Sequence, residues 1–190
     1  KMKKIILLTF LAIGFSQDGI SLTMKAIKVG VDINSDYRVR IEGNNESIFL
    51  EDPFSLAAEV SLNSSFDAGL ELMMESDAQA MGVSVSHMSL YGLYKFYSDE
   101  DISIMPKFGF STMNYSMDSE DQDYYDYYGS GFDIDSEGGL MYGFQIEYKN
   151  MIHISYTRHS GKFEYNVPYV DNSKFKTLTS RFNISYAFKL

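Results

Sequence analysis

The chain has no cysteine and no tryptophan, only three prolines, and no apolar run of the length that a membrane helix needs. Without cysteine there is no disulfide, no thiolate metal centre and no lipid-modified N-terminal cysteine. The longest apolar stretches fall short of the ~18 residues that would span a bilayer as a helix. Bases are scarce as well: 16 Lys and Arg stand against 26 Asp and Glu, a net charge of −10. Such a chain is poorly suited to nucleic acid, whose binding depends on clustered Lys and Arg that displace counterions. At 190 residues it has room for one domain. With a mean hydropathy of −0.19, these features describe a soluble acidic protein. One abundance resists that description: aromatic residues make up 15%, as 15 Tyr and 14 Phe.

The N-terminus reads as an address. Lys1-Met2-Lys3-Lys4 is followed by the apolar stretch Ile5 to Ile13 and then by Gly14-Phe15-Ser16. A basic start, a short apolar core and small residues at the −3 and −1 positions make a secretory signal, with cleavage expected after Ser16. We therefore expect 1–16 to be a signal peptide and 17–190 the mature domain. Loss of Lys1, Lys3 and Lys4 takes the charge from −10 to −13. An exported chain without cysteine fits a bacterial periplasm, outer membrane or exterior.

Downstream, hydrophobicity alternates with a period of two, the signature of half-buried strands. At the C-terminus Leu178, Phe182, Ile184, Tyr186, Phe188 and Leu190 hold even positions, while Thr177, Thr179, Arg181, Asn183, Ser185, Ala187 and Lys189 hold odd ones. Seven further segments, 25–33, 54–62, 66–75, 88–97, 102–114, 139–148 and 151–159, behave similarly. Their connections alternate between long (34–53, 76–87, 115–138, 160–175) and short (63–65, 98–101, 149–150). Short links require antiparallel neighbours. The expected fold is all-β, an eight-stranded antiparallel up-and-down barrel with every long connection at one end.

A soluble lipocalin-type barrel would alternate too, and side-chain size separates the two readings. The apolar set is bulky (Phe, Tyr, Leu, Ile), whereas the polar set is rich in small residues such as Gly30, Ser55, Ala57, Gly69, Ser111 and Ser185. Eight strands enclose only enough space for side chains to fill. The small set therefore faces inward and the bulky set faces lipid, with aromatics near strand ends forming interfacial girdles.

Three stretches carry a resemblance: Met105-Pro106-Lys107-Phe108-Gly109-Phe110, the run from Gly138 to Tyr148, and the run from Arg181 to Leu190. With them the chain resembles the small eight-stranded outer-membrane barrels: the OmpA-type membrane domain, OmpX and the opacity-like surface proteins. The resemblance implies a transmembrane β-barrel in the bacterial outer membrane, monomeric, in contact with outer-membrane lipid. It also implies recognition by the barrel-assembly machinery through the strip Phe182, Ile184, Tyr186, Phe188 and Leu190. The family usually ends in Phe, where this chain has Leu190. Pro106 departs from a regular ladder, because proline donates no hydrogen bond.

Candidate functional residues follow from the inferred faces. Charges of both signs in a narrow lumen must pair or stay hydrated; we expect a network among Glu59, Glu71, Glu147, Lys95, Lys107 and Arg181. Lys28, Asp32, Asp67, Glu75 and His153 fall on the same face. Segment 115–138 holds eight acids and no base, interleaved with tyrosines in Asp121, Asp123, Tyr124, Tyr125, Asp126, Tyr127 and Tyr128. Tyrosine offers rigid amphipathic contact area, so 115–138, together with 34–53, is a candidate surface for a host or cell-surface protein. His87 and His159, beside Ser86 and Ser160, are expected at the loop end. No nucleophile elbow or HExxH motif accompanies them, and we expect no enzyme activity, no catalytic residues, no bound metal and no cofactor. Arg158, Lys162, Lys174 and Lys176 lie near the outer ends of the last two strands, where they could meet lipid phosphates. The expected role is non-enzymatic: adhesion or envelope integrity through external loops. The alternatives are a narrow, porin-like ion pore and, ranked third, a lipid-modifying enzyme or protease.

Overall fold

The computed structural model describes residues 23–41, 44–50, 53–78, 83–117, 133–166 and 173–189. The expected signal peptide 1–16, the run from Asp121 to Tyr128 and the terminal Leu190 lie outside them. The described chain is strand and turn: β1 (Thr23–Ile41), β2 (Asn44–Phe49), β3 (Phe54–Ser61), β4 (Phe66–Ala78), β5 (Val83–Tyr94), β6 (Tyr97–Ser98), β7 (Ile102–Met117), β8 (Asp133–Glu137), β9 (Gly139–Tyr148), β10 (Ile152–Asn166) and β11 (Ser173–Lys189). Neighbours pair antiparallel along the path β11-β1-β3-β4-β5-β7-β9-β10, and β10 also pairs β11, which closes the barrel. The wall thus has eight strands. The three short strands continue wall strands past an interruption: β2 extends β3 along β1, β6 extends β5 along β7, and β8 extends β9 along β10.

Burial settles which face is which. Along β11 Thr177, Thr179, Arg181, Asn183, Ser185 and Ala187 are buried, while Tyr186 and Phe188 are about half exposed at 48% and 53%. Every wall strand turns large apolar side chains outward, among them Ile27, Leu56, Leu72, Leu90, Phe108, Phe144 and Ile152. A polar interior inside an apolar exterior inverts the soluble barrel, and only lipid can cover such a band. The short turns are built from local hydrogen bonds. Asn63 Oδ1 accepts from the Ser65 and Phe66 amides, and Asp99 Oδ1 accepts from those of Asp101 and Ile102. The Tyr97 hydroxyl, bonded to Asp99 Oδ2 at 2.6 Å, holds that carboxyl below its usual range, helped by the two amides. Lys149 and Asn150 both have positive φ, 52° and 54°, as the tightest hairpins require.

Several expectations about loops are corrected. Residues 34–53 are mostly strand, as the outer part of β1 and the β2 hairpin partner; 76–87 is largely the ends of β4 and β5; 160–175 is largely β10 and β11. The reason is visible on the outward face. Along β7 it runs Phe108, Phe110, Thr112, Asn114, Ser116, and along β10 it runs Ile152, Ile154, Tyr156, Arg158, Ser160, Lys162. Beyond the apolar band the outward face turns polar, while inward positions include Val85 and Met113, so the apolar-outward alternation ends while the ladder continues.

Bulges make the other corrections. Between Met73 and Ser76 on β4 one extra residue opposes β5, so the inward parity switches and Glu75, expected in the lumen, is exposed and accepts a hydrogen bond from Ser116. Between Met24 and Ala26 a second bulge sends Lys25 into the lumen although period two assigns it to the lipid face. A third lies at Asp32/Asn34, where Ile33 is exposed on the outward face expected for it. Pro106 lies where the β5–β7 ladder breaks, between the Leu93↔Lys107 and Tyr97↔Ile104 pairs.

Close strand approach at Gly143 yields a test. A Cβ there would sit 1.9 Å from the Tyr156 carbonyl oxygen, so Gly143→Ala must move backbone. It should destabilise the detergent-folded barrel by about 1–3 kcal/mol, read as a lower urea midpoint.

Candidate functional site in the barrel lumen

The inward faces of the wall strands carry charge of both signs into a space with no room for bulk water, and the side chains have sorted into two clusters. Nearer the short-turn end, Lys25 Nζ lies 2.7 Å from Asp67 Oδ2 and 2.6 Å from Glu147 Oε1, and Lys95 Nζ lies 3.1 Å from Asp67 Oδ1. Above them Lys28 Nζ donates to Glu59 Oε1 at 2.5 Å, which also accepts from the Tyr91 hydroxyl at 2.9 Å and Gln145 Nε2 at 3.2 Å. Gln145 Nε2 reaches Glu147 and His153 Nδ1 as well, and Gln145 Oε1 accepts from Lys28.

The second cluster centres on Arg181, which is 1% exposed. Its Nε and Nη2 donate to both oxygens of Asp32, at 2.6 and 3.1 Å. Its Nη1 donates to Glu71 Oε1 at 2.7 Å. Lys107 Nζ donates to the other Glu71 oxygen at 2.6 Å, and Asn183 Nδ2 bridges Asp32 to Ser55. A planar guanidinium offers two forks at once, which lysine cannot. Tyr91 separates the clusters. Lys107 Nζ lies 3.9 Å from its ring centroid and Lys28 Nζ 5.6 Å, distances suited to cation–π attraction. The ring fits because Gly69 faces it: a Cβ there would lie 2.5 Å from Tyr91 Cζ.

The six residues expected to form one lumen network thus sit in two groups. Glu71, Lys107 and Arg181 share the Arg181 cluster; Glu59, Glu147 and Lys95 share the other, where Lys95 meets Asp67 rather than a glutamate. Lys25, Tyr91, Gln145 and Asn183 were absent from the expected network. Gln145 and Asn183 fall on the inward face that alternation assigns, so face membership was a signal for both; Lys25 is placed by its bulge, which leaves no trace in the pattern. Glu59, Glu147 and His153 bring ligand atoms within 4.8 Å of one another, a set that could in principle hold a metal. The Lys28 and Lys25 ammonium groups already neutralise those carboxylates.

His87 and His159 are also corrected. His87, expected in the 76–87 connection, lies on β5, and His159 lies on β10 within its expected strand; both are buried in the lumen rather than solvated, at 2% and 0% exposure, and their rings contact each other. Ser86 and Ser160 sit next to them in sequence and therefore on the opposite face of the wall, so no Ser–His couple forms. Ser160 instead donates to the Leu140 carbonyl. At the outer rim Arg158 packs on Tyr156, its Nε donating to the hydroxyl; Lys176 is exposed and Lys162 pairs with Glu137 at 3.6 Å. The expected assembly strip places Tyr186 and Phe188 on the lipid face.

Removing one member of a buried ion pair strands its partner, at about 3–5 kcal/mol. Arg181→Met should cost that much in urea unfolding of the folded barrel. Lys95→Met should cost under about 1 kcal/mol, because its side chain is 21% exposed and Asp67 keeps Lys25.

Comparison with protein-family models finds no match for this chain, and comparison with curated proteins finds none either. Solved structures do match. Neisserial surface protein A superposes with a TM-score of 0.55 at 9% identity, over 85% of this chain and 97% of that one. The outer membrane protein AlkL, solved in lipid bilayers, gives 0.52 at 13% identity, over 91% and 94%. The fold seen here, a closed antiparallel eight-stranded wall, is shared with both. The chain has the architecture of the small bacterial outer-membrane β-barrels.

Proposed function

We propose that this protein is a non-conducting outer-membrane barrel that presents its outer strand extensions and the acidic-aromatic segment to a partner at the cell surface. The filled lumen is the observation that carries the reading. Arg181, Lys107, Tyr91, Gln145, Glu59 and Met105 are each 3% exposed or less, and the charged ones are bound across the barrel rather than aligned along it. The end of β7 and the short β8, which flank 118–132 in sequence, lie beyond the apolar band. The eight acids of 115–138 favour a basic partner, with the tyrosines supplying contact area. Outward Arg158 and Lys176 suit lipid phosphates below that surface, and the outward aliphatic and aromatic strip of β11 suits the barrel-assembly machinery.

Two measurements test this. Purified barrel in a planar bilayer should give no current steps above the lipid baseline; steady steps would make it a pore. Replacing 118–132 by a short Gly-Ser linker keeps β7 and β8, so the barrel should still fold, seen as faster migration of the unheated protein on SDS gels. Adhesion of displaying cells to host-cell surfaces should fall severalfold and lose its salt dependence. Unchanged adhesion would contradict the role given to this segment.

A further inference from the structure

Above the Arg181 cluster the lumen changes character, from paired charges to imidazoles and thioethers. His87 on β5 is flanked across the ladder by Met73 on β4 and Met113 on β7. His159 on β10 is flanked by Met141 on β9 and Thr179 on β11. Thr179 Oγ1 in turn lies 3.7 Å from Met113 Sδ, which brings that sulfur to the level of both histidines. The three methionines are 2% exposed or less.

Several buried polar atoms here lack a hydrogen-bond partner. Neither ring nitrogen of His87 has a hydrogen-bond partner among the described residues, nor do His159 Nδ1, Ser89 Oγ and Ser111 Oγ. Ser89 and Ser111 face each other one step further in. A buried unsatisfied polar group costs about 1–3 kcal/mol, and several in one place point to an occupant. His159 Nε2 is the exception, 2.9 Å from Thr157 Oγ1. When a ring nitrogen donates to such a neighbour, the other nitrogen is left as a ligand, the arrangement common around metal-bound histidines.

We propose that His87 and His159, with the Met113 thioether, form a lumen site for a soft monovalent metal ion of the Cu(I) class. The ring centroids are 5.1 Å apart. Metal–imidazole bonds run about 2 Å, so two rings sharing one ion have centres roughly 5–6 Å apart. His159 keeps its bond to Thr157, and rotation of the unbonded His87 ring about its broad χ2 torsion turns a nitrogen toward the shared point. The donors select the ion. They are neutral, with a soft thioether beside two borderline imidazoles, a set in which the thioether favours Cu(I) over hard cations. Glu71 and Asp32, the carboxylates of the Arg181 cluster, are held by Arg181 and Lys107, and the Arg181 charge disfavours a divalent ion more than a monovalent one.

The test uses the folded full chain in detergent, titrated anaerobically with Cu(I) held by a competing chelator. One equivalent should bind, with X-ray absorption reporting mixed nitrogen and sulfur ligation. His87→Gln and His159→Gln should each weaken binding about 100-fold or more, and Thr157→Val about tenfold, restored by Thr157→Ser. His153→Gln, the remaining histidine, should leave it unchanged. Unheated gel mobility establishes that each variant is folded. Absence of stoichiometric Cu(I), binding that survives in a folded His87→Gln/His159→Gln barrel, or equal affinity for Zn(II) would each overturn the site.

Discussion

An eight-stranded wall leaves an interior only as wide as the side chains that fill it, so any charge placed inside must find its counter-charge there. Arg181 is where that constraint concentrates. It spans from Asp32 on its neighbouring strand to Glu71 across the barrel, and Glu71 is shared with Lys107. One guanidinium therefore ties β11 to β1, β4 and β7. Tyr91, lodged over Gly69, carries the connection to the second cluster through Glu59 and its contact with Lys107. The low exposure of these groups makes their pairing obligatory, since an unpaired buried charge is far costlier than a pair.

The same constraint explains the outside. With polar groups committed to the interior, each strand must turn its apolar residues outward, and the barrel can be stable only with lipid against them. The membrane band ends where Phe110 gives way to Thr112 on β7 and Tyr156 to Arg158 on β10, yet the ladders run on. The wall strands therefore run beyond the apolar band with a polar outward face, and in sequence an acidic segment joins β7 and β8. A filled core and a raised rim together favour recognition over transport.

Much of this was legible in the sequence. Period-two alternation located all eight wall strands, and the small-inside, bulky-outside split assigned their faces, because lipid and lumen impose opposite chemistry on adjacent residues. Two kinds of detail were not legible. Beyond the apolar band the outward face turns polar, so the outer parts of β1, β4, β5, β10 and β11 read as loop. Bulges insert one residue and invert parity, so Glu75 was placed on the wrong side and Lys25 was not recognised as a lumen residue. His87 was displaced by the first effect: the strand expected from 88 begins at Val83, so a residue assigned to the 76–87 connection turns inward; His159 already lay within the expected strand 151–159, on its inward parity. Which acids meet which bases was illegible for another reason, since pairing across a barrel depends on register and tilt that no local pattern carries.

The central claim is that the lumen is a closed, paired interior rather than a wet channel. A chain without native cysteine allows a direct measurement: a single Gln145→Cys variant, in mid-lumen where Gln145 is 0% exposed, treated with a charged water-soluble methanethiosulfonate. The account predicts that the folded barrel resists labelling while the urea-unfolded chain labels fully. Labelling of the folded barrel as fast as a cysteine at exposed Ser116 would contradict it.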